Sequence, residues 1–477
     1  MPGISVPGTP RQGSARRGCR RRSWRALVGA AAAGLAVIAG SAAPPAAAGP
    51  PPPPTLPPTA QSGTFAYVAN NLDDNVVVID TDTRSVVDTI GLTDDDQGPN
   101  PVAVNPQGTR VFVANSVSNT MSVILPVARI VLSVGVGGSP FGVASSPDGN
   151  TAYVTNNTTN NMTVVDTRTD PLTVLATVHV GTRPFGLAVA PNGTRAYVAN
   201  QLDNQLAVVD LSTDPPSVLT AVDVGQFPQG VAASPDGSFV YVTNFVDGSL
   251  SVIRTADNTV VETIELGQGT SPSHVAVKPD GSRVYVANFG TGNVSVIDTT
   301  TNPRRIVTTV DVGQQPESVA VTPDGAQAYA TSSGNNSVSA INTATNTVIG
   351  NPIAGFNNPL GVSIGTRTVG DTPTRLSLEE GNGNGDGSPG TLGKPGSLLK
   401  ARLTADGEPL VAREVVFGAG SKALCLKATD RRGRTTCVLP PLARGGKACY
   451  TATFAGDGTY AAATETVCRA HGRPLKQ

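Results

Sequence analysis

The 477-residue chain is poor in the residues that most often do chemistry: three histidines, five cysteines and one tryptophan. His179, His274 and His471 stand in no metal-ligand or triad spacing, which argues against haem, copper and serine-hydrolase chemistry. The tryptophan, Trp24, falls in an N-terminal stretch expected to be removed. The mature chain would then lack the side chain that most often anchors sugars and tight interfaces. There is no CxxC pair, so a zinc site is the weaker reading of the cysteines. The N-terminal apolar run has about 15 residues, short of the ~20 that span a bilayer. The middle of the chain shows no sustained helical period.

What is present begins with a leader. Arg16, Arg17, Arg20, Arg21, Arg22 and Arg25 precede the apolar residues 26–40, and Ala46-Ala47-Ala48 offers a small-x-small cleavage site. Residues 1–48 therefore read as a signal peptide. Arg21-Arg22 also suits a twin-arginine signal, and the export route stays open. Residues 49–61 read as a proline-rich linker. The expected location is extracellular or cell-surface, with no integral membrane segment after cleavage. Charge divides the remainder. Residues 62–370 hold 12 basic and 25 acidic side chains, and residues 371–477 hold 15 and 10. The acidic part argues against nucleic acid as a partner. The basic part suits an anionic wall or membrane surface, although ordinary solvated charge is the plainer reading.

An aromatic–Val–(Ala/Thr)–Asn motif begins at Tyr67, Phe112, Tyr153, Tyr197, Tyr241 and Tyr285, with a degenerate copy at Tyr329. A period of about 44 residues marks a radial or solenoid repeat. Each unit reads as four short Val/Ile/Tyr-rich strands. A Pro-Asp-Gly turn at Pro235-Asp236-Gly237 recurs as Pro147-Asp148-Gly149, Pro279-Asp280-Gly281 and Pro323-Asp324-Gly325. Four antiparallel strands per unit make a propeller blade. Tyr153-Val154-Thr155-Asn156 and Tyr241-Val242-Thr243-Asn244 resemble the signature of the YVTN-repeat β-propeller family of secreted and surface-layer proteins. That resemblance covers residues 62–366 and implies a fold without a defined activity. The second copy departs from the pattern, with Leu125-Pro126 where a strand-ending Asp-Thr is expected. The first copy lacks its opening strand, and residues 360–365 supply one. The expected fold is all-β: a seven-bladed propeller over 62–367, closed by residues 360–365 on residues 64–92.

Residues 371–477 read as an Ig-like β-sandwich, with candidate strands at 374–378, 397–403, 411–417 and 448–454. Its closing hairpin, residues 450–460, resembles that of bacterial Ig-like repeat domains, which serve as spacers or adhesive modules. Cys425, Cys437, Cys449 and Cys468 allow three disulfide pairings in an exported protein. Cys425 and Cys437 flank the turn Asp430-Arg431-Arg432-Gly433, and Cys449 and Cys468 flank the turn Gly456-Asp457-Gly458-Thr459. Each pair is expected to face across a hairpin, giving Cys425–Cys437 and Cys449–Cys468.

Residues that recur in every repeat read as architecture. The motif asparagines are one blade feature repeated, and Asp80, Asp166, Asp210 and Asp298 read as turn formers. Residues that differ between repeats are the better functional candidates. The slot after the blade-opening proline holds Asn100, Phe141, Phe185, Gln229, Ser273, Glu317 and Leu360, expected to ring one mouth of the channel, with Phe245 and Phe289 beside them. His274 replaces Gly142, Gly186, Gly230 and Gly361; a lone variant at a tolerant position is the plainer reading. Two acidic clusters, Asp94-Asp95-Asp96 and the glycine-rich Asn382–Gly393, suggest cation attraction, but the second lacks the final Glu of a calcium loop. No catalytic residue, metal site or cofactor is assigned. The expected function is a monomeric binding scaffold that recognises an unknown protein or cell-envelope component. A lactonase- or lyase-type propeller enzyme and a purely structural envelope protein are the alternatives. Contact between His274 and Glu317 would favour the enzyme.

Overall fold

The computed structural model describes residues 62–477 apart from 170, 369–373, 382–397, 406–407, 411–412, 420–421, 440–446, 457–459, 471–472 and 475–477. The expected signal peptide 1–48, the linker 49–61, the loop from Asn382 to Gly393, the turn at Asp457-Gly458-Thr459 and His471 lie outside the described residues. Among the described residues every regular element is a strand, apart from single 3-10 turns at Asn71–Asp73 and Ser333–Asn335.

One repeat shows why the sequence folds this way. Pro228–Ala233, Phe239–Asn244, Ser249–Arg254 and Thr259–Glu265 pair in that order as an antiparallel sheet. The second and third strands are buried on both faces, because a sheet in such a stack is covered on each side by its neighbours. Tyr241, Val240 and Val242 are almost wholly buried, whereas Val260 and Val261 of the outer strand are exposed. The turn between the first two strands uses Gly237 at φ +72°, a left-handed conformation that suits glycine. The Asp236 carboxylate accepts the Ser234 hydroxyl at 2.5 Å and the Ser238 amide at 3.0 Å, and these bonds hold its pKa low. Asp148 and Asp324 repeat the arrangement, and Asp280 accepts the Ser282 amide and hydroxyl and the Lys278 ammonium instead.

The motif asparagines tie the second strand to the third. Asn244 Nδ2 donates to Ser249 Oγ and Ser251 Oγ, both at 2.9 Å. Asn156 makes the same bonds to Asn161 and Thr163, and Asn288 to Asn293 and Ser295. The strand-ending Asp80, Asp210 and Asp298 accept backbone amides two residues on.

Six sheets have four strands each, and four further consecutive strands, Pro99–Val104 to Ile130–Gly135, form part of a nine-stranded sheet. Pro359–Arg367 pairs antiparallel with Gly63–Asn70, Val362 opposite Val68, so the end of the repeat region completes the sheet begun at its start. The innermost strands adjoin in sequence, from Pro99–Val104 through Pro140–Ser145, Pro184–Val189, Pro228–Ala233, Pro272–Val277 and Pro316–Val321 to Pro359–Arg367, which returns to the first. This closed ring protects the edges that would otherwise pair with other chains.

The nine-stranded sheet arises because the C-terminal part sits on one repeat. Lys422 pairs with Val131 in a single parallel bridge. Val416 and Leu426 pack with Leu125, Ile130, Leu132 and Leu172. Leu125 is 6 % exposed there, which accounts for the departure at Leu125-Pro126: this copy presents an apolar outer face where others present a polar one.

Two sheets of the C-terminal part share a core that includes Leu399, Leu403, Phe417, Cys425, Cys437 and Tyr450. One contains Thr374–Gly381, Leu398–Ala405 and Arg434–Val438, and the other Glu414–Ala419, Lys422–Ala428, Lys447–Phe454 and Ala463–Ala470. Both expected disulfides are present. Cys449 and Cys468 are direct partners across a hairpin. The geometry expected for the other pair is corrected: Cys425 pairs with Phe417 in one sheet and Cys437 with Leu399 in the other. That disulfide joins the two sheets, because the chain crosses between them at the turn 430–433.

Candidate functional site

The second residue of each inner strand comes to the same end of the ring, because the strands run parallel to one another around the axis. Asn100, Phe141, Phe185, Gln229, Ser273, Glu317 and Leu360 all line one cavity of about 960 Å³. His274, Phe245 and Phe289 line it as well. The slot that varies between repeats is thus brought together in space.

Phenylalanine dominates this mouth. Phe141 and Phe185 stack with ring centroids 4.9 Å apart and planes 18° apart. Phe245 lies 6.0 Å from Phe289 and 6.2 Å from Phe227 in tilted contacts. Phe245 and Phe289 therefore face the channel and each other rather than only packing loops.

Sequence reasoning missed Phe227. It precedes a blade-opening proline and adopts φ +54°, and Ser139, Arg183, Ser271, Gln315 and Asn358 occupy the same slot with φ between +44° and +59°. This conformation is costly for residues with a side chain, and it persists where surrounding bonds fix it. The Phe227 amide donates to Asn204 Oδ1 at 3.0 Å, and its carbonyl accepts the Phe245 amide at 3.1 Å. The signal was the slot itself, a position that varies in chemistry just before an unvarying proline.

The polar members differ in how far they are used. The Ser273 hydroxyl donates to the carbonyls of Pro316 and Ala287, so it is part of the wall. Glu317 receives the Ser333 hydroxyl at 3.3 Å, and burial raises its pKa. His274 Nδ1 is buried without a hydrogen-bond partner. Burial pushes the imidazole pKa down to about 4, so the ring is neutral near pH 7.

The slot of residue 274 holds glycine in four repeats and Pro101, His274 and Ser318 in the other three. A Cβ at Gly142 would lie 2.3 Å from the Phe185 carbonyl oxygen, at Gly186 2.1 Å from that of Gln229, and at Gly361 2.4 Å from that of Asn100. At those three positions the adjacent inner strand comes too close for a side chain, so glycine is needed there. His274 and Glu317 stand on neighbouring inner strands, but no hydrogen bond or ion pair joins them among the described residues.

Asp96 is also better understood. It is fully buried and accepts bonds from Thr93, Asn115, Thr120 and Ser133, so it anchors its loop instead of facing solvent. Among the described residues no group of His, Cys, Asp or Glu is arranged to hold a metal ion.

A ring of four-stranded sheets around an axial cavity defines a β-propeller. The family model for the YNCE-like β-propeller matches residues 25–364, and the chain belongs to that family. Solved structures agree on the fold. A functionally unknown protein from Desulfotomaculum acetoxidans DSM 771 is 18 % identical, with a TM-score of 0.56 over 64 % of this chain and 99 % of that one. The periplasmic gluconolactonase PpgL of Pseudomonas aeruginosa is 16 % identical, with a TM-score of 0.53 over 63 % and 98 %. The hydrazine synthase of Kuenenia stuttgartiensis is 21 % identical, with a TM-score of 0.52 over 62 % and 99 %. The comparison with curated proteins finds no match.

Proposed function

We propose that this protein is a secreted or cell-surface binding scaffold without catalytic activity. In this reading residues 62–367 form a seven-bladed propeller, and residues 371–477 form an Ig-like β-sandwich that serves as spacer or anchor. Seven inner strands in a closed cycle and two sheets around a shared core support these assignments. Two disulfides suit export after removal of a signal peptide, and no helix among the described residues is long and apolar enough to cross a membrane. The partner is a protein or cell-envelope component, bound by a monomer without a cofactor.

One observation carries the reading. Residues that repeat are used up in turns and clamps, whereas residues that vary converge on one mouth and place aromatic faces there. Co-sedimentation with envelopes of the producing cell tests it. Saturable pelleting of the mature chain that falls at least fivefold in Phe141→Ala/Phe185→Ala supports it. Pelleting unchanged by that substitution, or none at all, overturns it.

The second reading is a lactone-hydrolysing propeller, favoured by the fold shared with a protein named as a gluconolactonase. The lack of a hydrogen bond between His274 and Glu317 weighs against it. Turnover of gluconolactone that is lost in Glu317→Gln would establish it.

A further inference from the structure

The charge and the aromatic faces in the channel mouth favour a cation. Glu317 is the one acidic side chain lining the cavity, and neither lysine nor arginine lines it. Its carboxylate has four lone-pair sites and a single long bond from Ser333. His274 adds a buried ring nitrogen, Nδ1, that has no hydrogen-bond partner in the protein. The remaining wall is uncharged, with polar residues such as Asn100 and Gln229 among apolar ones, and the Phe141–Phe185 stack and the Phe227–Phe245–Phe289 cluster lie at the entrance. Aromatic faces carry negative potential and attract cations.

The surrounding loops share this sign. Those between the second and third strands, and those leading into each inner strand, open on the same end of the ring. They carry Asp73, Asp74, Asp94, Asp95, Asp203 and Asp247, and one basic residue, Arg183. The loops at the opposite end mix both signs, including Arg84, Arg168, Arg254 and Lys278 with nearby aspartates. The acidity of the repeat region is thus concentrated around the mouth, where it raises the local concentration of cations and repels anions.

We infer that the channel mouth binds an organic ammonium ion with an apolar or aromatic body, its N–H groups meeting Glu317 and His274 Nδ1 and its body lying against the phenylalanines. This rests on the reading of the mouth as a binding site and names the ligand class. A carboxylate or phosphate ligand would meet no donor charge and an unfavourable field. A metal ion would find one carboxylate and one imidazole, too few ligands for a site.

The test is calorimetric titration of the mature chain with three probes of similar shape: 2-phenylethylammonium, 2-phenylethanol and 3-phenylpropionate. The ammonium ion is expected to bind saturably, at least tenfold more tightly than the alcohol, with no detectable binding of the carboxylate. Glu317→Gln should weaken ammonium binding at least tenfold, and His274→Asn severalfold. Unchanged near-ultraviolet circular dichroism would show that each variant is folded. Equal binding of 3-phenylpropionate, indifference to Glu317→Gln in a folded variant, or no ammonium binding at millimolar concentration overturns the inference. Envelope sedimentation separates the two levels. If ammonium binding fails while sedimentation still depends on Phe141 and Phe185, the ligand class is wrong and the binding mouth stands. If both fail, both readings fall.

Discussion

The Arg110 guanidinium donates to both carboxylate oxygens of Glu414, at 2.7 and 2.6 Å, and so joins parts of the chain 304 residues apart. Arg195 and Arg283 occupy the same place in their repeats and bond within the repeat region, to the Thr255 carbonyl and to Asp298. In the second repeat that local role has become a clamp on the C-terminal part. The Arg110 side chain is 11 % exposed and that of Glu414 40 %, so solvent tempers the strength of the pair. Charge-assisted bonds of this kind contribute about 1–2 kcal/mol after that discount. Arg110→Ala and Glu414→Gln should each raise amide exchange across residues 414–428 severalfold while leaving the other repeats protected. The double variant should be no worse than the poorer single one, because the two changes remove the same contact. Additive effects would show that the pair does not act as a unit.

The apolar outer face beneath that clamp leads to a second expectation. Leu125, Ile130 and Leu132 are buried in a cluster to which the C-terminal part contributes Val416 and Leu426. A propeller ending at residue 367 would expose this patch beside a strand edge, a combination that promotes self-association. Gel filtration should show concentration-dependent oligomers of the truncated chain at tens of micromolar. Leu132→Lys in the same truncation should restore a single species. If the truncated chain without that change stays monomeric, the contact is a convenience of packing rather than a need.

The disulfides close loops of 12 and 19 residues. In the loop-closure model each restricts the unfolded chain by about 3 kcal/mol. Cys425–Cys437 lies within the shared core, where Cys437 is 2 % exposed, so its loss also opens packing between two sheets. Cys425→Ala/Cys437→Ala should therefore lower the unfolding temperature of the C-terminal part more than Cys449→Ala/Cys468→Ala does. Scanning calorimetry should show the propeller transition unmoved in both. A common shift of both transitions would mean that the two parts unfold together.

Much of this was legible in the sequence because repetition separates architecture from variation. Asp236-Gly237 and Asn244 each announce a local bond, and the structure makes those bonds between neighbours in sequence or in adjacent strands. The variable slot holding Phe141, Phe185 and Glu317 could be placed on one mouth because a repeat puts equivalent positions at equivalent places. What was not legible depended on contacts between distant segments. Leu125-Pro126 looked like decay of the pattern until Leu426 was seen against it. The crowding at Gly142 and Gly361 was hidden, because it comes from the neighbouring inner strand, at Phe185 and at Asn100, far along the chain. Phe227 was passed over because its importance lies in a left-handed backbone, which an ordinary aromatic residue gives no reason to expect.

His274 also makes folding depend on pH, and the sign can be worked out. Its ordinary pKa of 6.5 applies in the unfolded chain, whereas burial lowers it to about 4 in the folded one. Between these values the unfolded chain takes up the proton and the folded chain resists it. Stability from this group is therefore complete above pH 6.5 and is lost as the pH falls toward 4, by an amount on the order of 3 kcal/mol. Glu317 works in the opposite direction. Burial raises its pKa, so its contribution is fully present below the ordinary carboxylate value and is lost as pH rises through the raised one. The two groups line one cavity, so comparison of single variants is needed to separate them. Urea midpoints at half-unit steps from pH 4 to 7 should fall with acid more steeply in the wild-type chain than in His274→Asn. The difference between the two curves should flatten above pH 6.5. Glu317→Gln should remove the loss on the alkaline side and leave the histidine slope in place. A constant offset between wild type and His274→Asn across the range would mean that His274 is freely protonated in the folded protein, and that Nδ1 does not hold its lone pair ready for a ligand under acid conditions.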